Sequence, residues 1–188
     1  MDRRIRKTQK AIIGAFVELL AEKDFKDITI NEVADRADVS RGTVYLHYMD
    51  KFDLLDKCID FYFKKLFESC MRLDGTSLLL SKPLLVRTFE YLEQHESIYK
   101  TLLINKGIPA FRSYMMDEIL GNLGELVDVS SVKPDMNKEV VIQFVASAIV
   151  GVLEWWMIHS TPIPAKDIAD QLWSLLERIQ VMPHVQGE

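Results

Sequence analysis

The 188-residue chain has little of what most catalytic, secreted or membrane proteins need. It has two cysteines, Cys58 and Cys70, on what reads as one long helix. At ~1.5 Å per residue they stand ~18 Å apart, which excludes an internal disulfide, and the spacing fits no metal motif. The four histidines, His47, His95, His159 and His184, are scattered. No nucleophile sits beside a base, no paired carboxylates lie in an apolar setting, and no glycine-rich loop could hold phosphate. The expectation is therefore no catalytic residue, no metal and no cofactor. No stretch alternates apolar and polar residues with period two, which excludes strands, and no segment repeats. The first ten residues hold Arg3, Arg4, Arg6, Lys7 and Lys10 in place of a cleavable apolar leader. The apolar runs read as interrupted before membrane-spanning length. This places the chain in the cytoplasm with no membrane partner.

The chain also lacks an excess of positive charge; its net charge is −5. The deficit is uneven. Residues 1–51 carry ten Lys or Arg against nine Asp or Glu, and residues 52–188 carry thirteen against nineteen. Local patches, not the net value, set attraction to phosphate. The basic N-terminal arm can thus meet a polyanion.

What is present is a dense set of helix signals between Ile28 and Lys51. Thr29 and Glu32 have the spacing of a capping box, in which each satisfies a free N–H near the other. Ile30, Val33, Ala34 and Ala37 follow on one helical face. Asp38-Val39 makes a turn, and Asp tolerates the left-handed backbone such a turn requires. Ser40 caps a second helix through about Tyr48. Two short helices across a tight turn form a helix-turn-helix, whose second helix enters the DNA major groove. Val44 and Tyr48 face inward; Arg41, Gly42, Thr43, Tyr45 and His47 remain outside. Arg suits guanine, Thr a base edge or thymine methyl, and Tyr and His a phosphate. Asp50 opens the next helix with Lys51 in its first turn, an arrangement suited to phosphate. The candidate DNA-binding residues are Thr29, Asn31, Ser40, Arg41, Gly42, Thr43, Tyr45, His47, Tyr48 and Lys51.

This stretch resembles the DNA-binding domain of the TetR family of bacterial transcription regulators. The resemblance rests on Ile12-x-x-x-Phe16-x-x-Leu19-Leu20, Phe25, Thr29, Val33-Ala34, Val39-Ser40-Arg41-Gly42-Thr43, Tyr45-x-His47-Tyr48 and Lys51. It covers the first quarter to third of the chain. Asp38 departs from it, since Gly is common there. The resemblance implies a DNA-binding domain over residues 1–50 and a helical ligand-sensing and dimerisation domain over 51–188.

Helical periodicity continues to the C-terminus, so the fold class is all-α with about nine helices. The first runs from about Ile5 to Ala21. The fourth runs from Asp50 to about Met71 and ends at Asp74-Gly75-Thr76. Ser81 and Pro83 open the fifth, with Leu85, Phe89 and Leu92 inward. The sixth stops at Asn105-Lys106-Gly107, and Pro109 opens the seventh. After a loop from Val129 to Pro134, the eighth runs from about Met136 to His159. Its repeat comprises Val141, Phe144, Val145, Ala148, Val152 and Trp155 or Trp156. The ninth, beyond Pro162 and Pro164, carries Ile168, Leu172, Leu175, Leu176 and Ile179.

In the TetR family the last two helices pair with those of a second subunit. The expected interface here is about residues 136–159 and 164–181. One helix-turn-helix reads few base pairs, whereas a two-fold dimer sets two recognition helices about 34 Å apart, which implies a palindromic operator in double-stranded DNA. The resemblance also implies an effector pocket among the fourth to eighth helices. Its candidates are Tyr62, Phe63, Phe67, Phe89, Phe111, Tyr114, Met115, Trp155 and His159. That lining suits a hydrophobic or aromatic small molecule. The function expected is a dimeric repressor released by such a ligand. The alternatives are an activator of the same fold and a protein-interaction adaptor without ligand control.

Overall fold

A computed structural model describes residues 3–71, 81–104, 110–126, 137–160 and 163–178. Among them there are nine α-helices and no strand: α1 (Arg3–Glu22), α2 (Ile30–Arg36), α3 (Arg41–His47), α4 (Lys51–Met71), α5 (Lys82–Gln94), α6 (Glu96–Ile104), α7 (Ala110–Leu126), α8 (Lys138–Ile158) and α9 (Ala165–Arg178). A short 3-10 turn, Phe25–Asp27, joins α1 to α2. The all-α class is as the periodicity implied. The expected breaks at Asp74-Gly75-Thr76 and Asn105-Lys106-Gly107 lie outside the described residues. So do Pro109, Pro162, the loop from Val129 to Pro134, Ile179 and His184.

The chain forms two compact units. One comprises residues 1–65 and 97–111, the other 66–96 and 112–188; α4 contributes to both. In the first unit α1 packs on α2 and α2 on α3. Its core takes Ile12, Phe16, Leu19 and Leu20 from the apolar stripe of α1, joined by Phe25, Ile28, Val33 and Val44. Phe25 meets Phe16 edge-on, with ring centroids 6.2 Å apart. Farther along, the Tyr99 hydroxyl of α6 donates to the Tyr62 carbonyl of α4 at 2.8 Å, and both side chains are buried.

In the second unit α5 packs on α9, and α8 on α9. Phe89 and Trp156, both fully buried, meet edge-on at 5.1 Å. The Trp156 indole donates to the Ile163 carbonyl at 2.7 Å. Glu93 of α5 accepts from the Ala165 N–H and so closes the open start of α9.

Helix α8 differs from its sequence pattern in two respects. Its buried face is Val141, Val145, Ala146, Ile149, Val150, Leu153, Trp156 and Met157. Phe144, placed in the inward repeat from sequence, is exposed, with Val140 and Ile158, and of the two tryptophans offered for that repeat Trp156 is buried and Trp155 exposed. The helix is apolar all round, so the repeat could be phased either way. Its length and composition are also sufficient to cross a membrane, contrary to the expectation that every apolar run stops short. Helix α9 keeps Ile168, Leu172 and Leu176 inside and leaves Leu175 exposed.

Candidate nucleic-acid interface

The first unit assembles its helix-turn-helix through caps. Thr29 and Glu32 form the complete box: the Glu32 N–H donates to Thr29 Oγ1 at 3.3 Å, and the Thr29 N–H donates to Glu32 Oε2 at 2.9 Å. Lys23, at the end of α1, also bonds Glu32. The Lys23 and Thr29 hydrogen bonds hold the Glu32 carboxyl down at about 2. Arg36 forks onto Glu22 at 2.8 and 2.9 Å, a second tie between α1 and α2. Such exposed pairs contribute little energy but fix orientation.

Asp38 makes the turn with φ of 53°, the left-handed conformation that a non-glycine residue adopts only at a cost. Ser40 then caps α3, accepting from the Thr43 N–H at 3.0 Å, while its hydroxyl shares a 2.8 Å bond with the Thr43 hydroxyl. Val44 is fully buried and locks the helix onto the small core.

On the outer side, Arg41, Gly42 and Tyr45 are exposed, while Thr43 and His47 are half-buried. The Arg41 guanidinium lies over the Tyr45 ring at 5.3 Å and donates to its hydroxyl at 3.3 Å. The two side chains therefore present one joined polar surface. A Cβ at Gly42 would meet only Ser40 Oγ, at 3.7 Å. The fold itself thus has room for a side chain there, and its absence leaves the backbone open to a partner. Thr29, Asn31 and Ser40 are exposed near the starts of α2 and α3.

Two candidates sit differently. Tyr48 is buried, so its ring belongs to the core and is not part of the outer face. Burial, with smaller contributions from Cys58 and Asp53, pushes its hydroxyl up to about 12. Lys51 points inward at the turn between α1 and α2, where its ammonium donates to the carbonyls of Phe25, Lys26 and Ile28. Leu46 and Met49 carry no DNA-binding signal in the sequence. They are 82% and 81% exposed beside Tyr45, on positions that the inward pair Val44 and Tyr48 leaves outside.

The nine aromatic, methionine and histidine candidates for an effector pocket divide between the units. In the first, Tyr62 and Phe111 are buried on either side of Tyr99, with ring centroids 6.1 and 6.0 Å from it, and Phe63 is half-buried. In the second, Phe89 and Met115 are buried, Tyr114 is half-buried, and Phe67 is exposed. Trp155 and His159 lie together at the exposed end of α8, where the His159 ring bonds the Trp155 carbonyl at 2.7 Å. An open cleft of about 470 Å³ lies between the end of α1 and the Ser97, Lys100, Thr101 and Ile104 side of α6. None of the nine candidates lines it. No group of acidic, histidine or cysteine side chains among the described residues could hold a metal ion.

Residues 12–58 match the model described as bacterial regulatory proteins, tetR family, and residues 81–178 match that of a transcriptional regulator C-terminal region. The HTH-type transcriptional regulator YxbF of Bacillus subtilis (strain 168) is 22% identical over 170 residues, 87% of this chain and 43% of YxbF. The chain thus spans less than half the length of that relative. The crystal structure of a TetR transcriptional regulator from Streptococcus agalactiae 2603V superposes with a TM-score of 0.69 at 28% identity, covering 93% of this chain and 96% of the other. NalD, the secondary repressor of the MexAB-OprM multidrug efflux pump in Pseudomonas aeruginosa, superposes with a TM-score of 0.72 at 20% identity, covering 95% and 98%.

Proposed function

This chain belongs to the TetR family of bacterial transcription regulators, and from that premise we propose that it is a dimeric repressor acting on a palindromic operator in the cytoplasm. The observation that carries the proposal is the outer face of α3. Arg41, Gly42, Thr43, Tyr45 and His47 lie on one short capped helix whose inner residues are locked into a core. Arg41 supplies a fork for guanine and Thr43 a contact for a base edge. Tyr45 and His47 reach phosphates, and Thr29, Asn31 and Ser40 flank them. Leu46 and Met49 add apolar surface for deoxyribose and thymine methyl groups. The basic first turns of α1, from Arg3 to Lys10, supply sequence-independent attraction.

Residues 51–188 serve as the sensing and dimerising part. The outer stripe of α8, Val140, Phe144, Trp155 and Ile158, with Leu175 of α9, is where a second copy buries its own stripe. The effector is a hydrophobic or aromatic small molecule. It favours one arrangement of α4, and operator affinity falls by its preference for that arrangement.

Selection of bound duplexes from random DNA, followed by binding of the selected site to Arg41→Ala and Tyr45→Ala variants, tests the DNA reading. A regulator enriches one inverted repeat, and both variants lose affinity for it. An adaptor enriches none. A compound library screened on that site then tests release: an inducer raises the operator Kd, whereas a tight ligand that leaves the Kd unchanged contradicts control by release.

A further inference from the structure

The start of α4 has both features of an anion site, a helix N-terminus and a lysine, yet both are already engaged within the chain. The Asp50 carboxylate accepts from the Phe52 N–H at 2.8 Å and the Asp53 N–H at 2.9 Å. The Asp53 carboxylate accepts from the Met49 N–H at 2.9 Å. Two carboxylates thus occupy the place where a phosphate would dock, and their charge opposes its approach. The Lys51 ammonium has three protons, and three carbonyls receive them: Lys26 at 2.9 Å, Phe25 and Ile28 at 3.3 Å. These carbonyls lie in and just past the 3-10 turn, and that of Phe25 also accepts from the Ile28 N–H at 3.2 Å. The rings of Phe25 and Phe52 wall the ammonium at 4.9 and 5.9 Å and themselves meet edge-on at 5.3 Å.

We propose that Lys51 is an internal positioning residue, which ties the first turn of α4 to the turn between α1 and α2, and that it does not contact a DNA phosphate. The site takes a compact ammonium surrounded by carbonyls and ring faces, and a planar guanidinium fork does not reproduce that geometry. Through the tie, the position of α4 is set against the residues that start α2, next to the capping box of Thr29. Lys51 therefore affects operator affinity by holding the reading head in place. The proposal rests on the DNA-binding function argued above, and its test separates the two.

The test begins with the wild-type protein free of DNA, treated with formaldehyde and a borane reductant, with methylation of each lysine followed by mass spectrometry. Exposed Lys57 on the same helix is the comparator. Lys51 should react about tenfold more slowly than Lys57, because its amine must first leave its hydrogen bonds. Adding a selected operator should protect it no further. Lys51 that reacts as fast as Lys57 when free and is shielded only by DNA overturns the proposal. Lys51→Arg and Lys51→Met then give the functional arm. Both should raise the operator Kd about tenfold while leaving the salt dependence unchanged. A phosphate contact predicts the opposite: Lys51→Arg binds like wild type, and Lys51→Met flattens the plot of log K against log salt by about 0.9. If either variant fails to fold, the wild-type arm decides. If the protein selects no duplex, the DNA-binding function fails, and slow methylation of Lys51 still establishes the brace.

Discussion

Single residues in the first unit act in ways that the sequence records unequally. The capping box was legible because Thr29 and Glu32 are three apart and each needs only the other. Thr29→Ala should lower stability by about 1 kcal/mol, measurable by chemical denaturation. The left-handed Asp38 was legible for a similar reason, since a tight turn there demands that conformation. Asp38→Gly should raise stability by up to about 1 kcal/mol, checked by the same denaturation curve. Glu32 gives a pH dependence. Its carboxyl titrates at about 2 in the folded chain against 4.5 ordinarily. The ionised form therefore stabilises the fold above about 4.5, and that contribution is lost as pH falls toward 2. Glu32→Gln should make stability less steep across that acid range in denaturation series at fixed pH. What the sequence did not disclose is the surroundings of Lys51. Its acceptors lie 23 to 26 residues back along the chain, and no local pattern records a bond of that span. Tyr48 shows the same limit from the other side: its spacing from Val44 pointed inward, and the core claims it completely.

At the scale of elements, helices with one apolar stripe were the easiest to place. Helices α1, α5 and α9 bury residues that their spacing marks, among them Phe16, Phe89 and Leu172. Helix α8 was not legible in this way. Apolar on every side, it offers no stripe to phase, and a face covered by the same chain looks like one covered by a second copy. The structure divides the two sets by burial, and substitutions should divide them by consequence. Trp156→Ala removes a fully buried ring that packs on Phe89, and should cost about 3–5 kcal/mol of unfolding free energy. Phe144→Glu changes an exposed ring, and should leave helix content unchanged while shifting the mass in analytical ultracentrifugation from dimer to monomer. A Phe144→Glu chain that stays dimeric would place the interface elsewhere.

For the molecule as a whole, the charge is divided between the two units, which suits the proposed contact with DNA. The basic start of α1 and the face of α3 belong to the unit with fifteen Lys or Arg against twelve Asp or Glu, and the other unit carries eight against sixteen. Effector chemistry was the least legible from sequence. An aromatic residue at helical spacing reads as core or pocket alike, and the structure places Tyr62, Phe89 and Phe111 among buried neighbours. In the proposed complex, two copies present two α3 helices to one inverted repeat. The most direct measurement of this arrangement is fluorescence anisotropy, with stoichiometry, on a labelled duplex carrying the selected repeat and on one carrying a single half-site. Two protomers should bind each full repeat, with half-site centres about 34 Å apart, and the half-site should bind much more weakly. Equal affinity for the half-site, with one protomer bound to the full repeat, would contradict the arrangement.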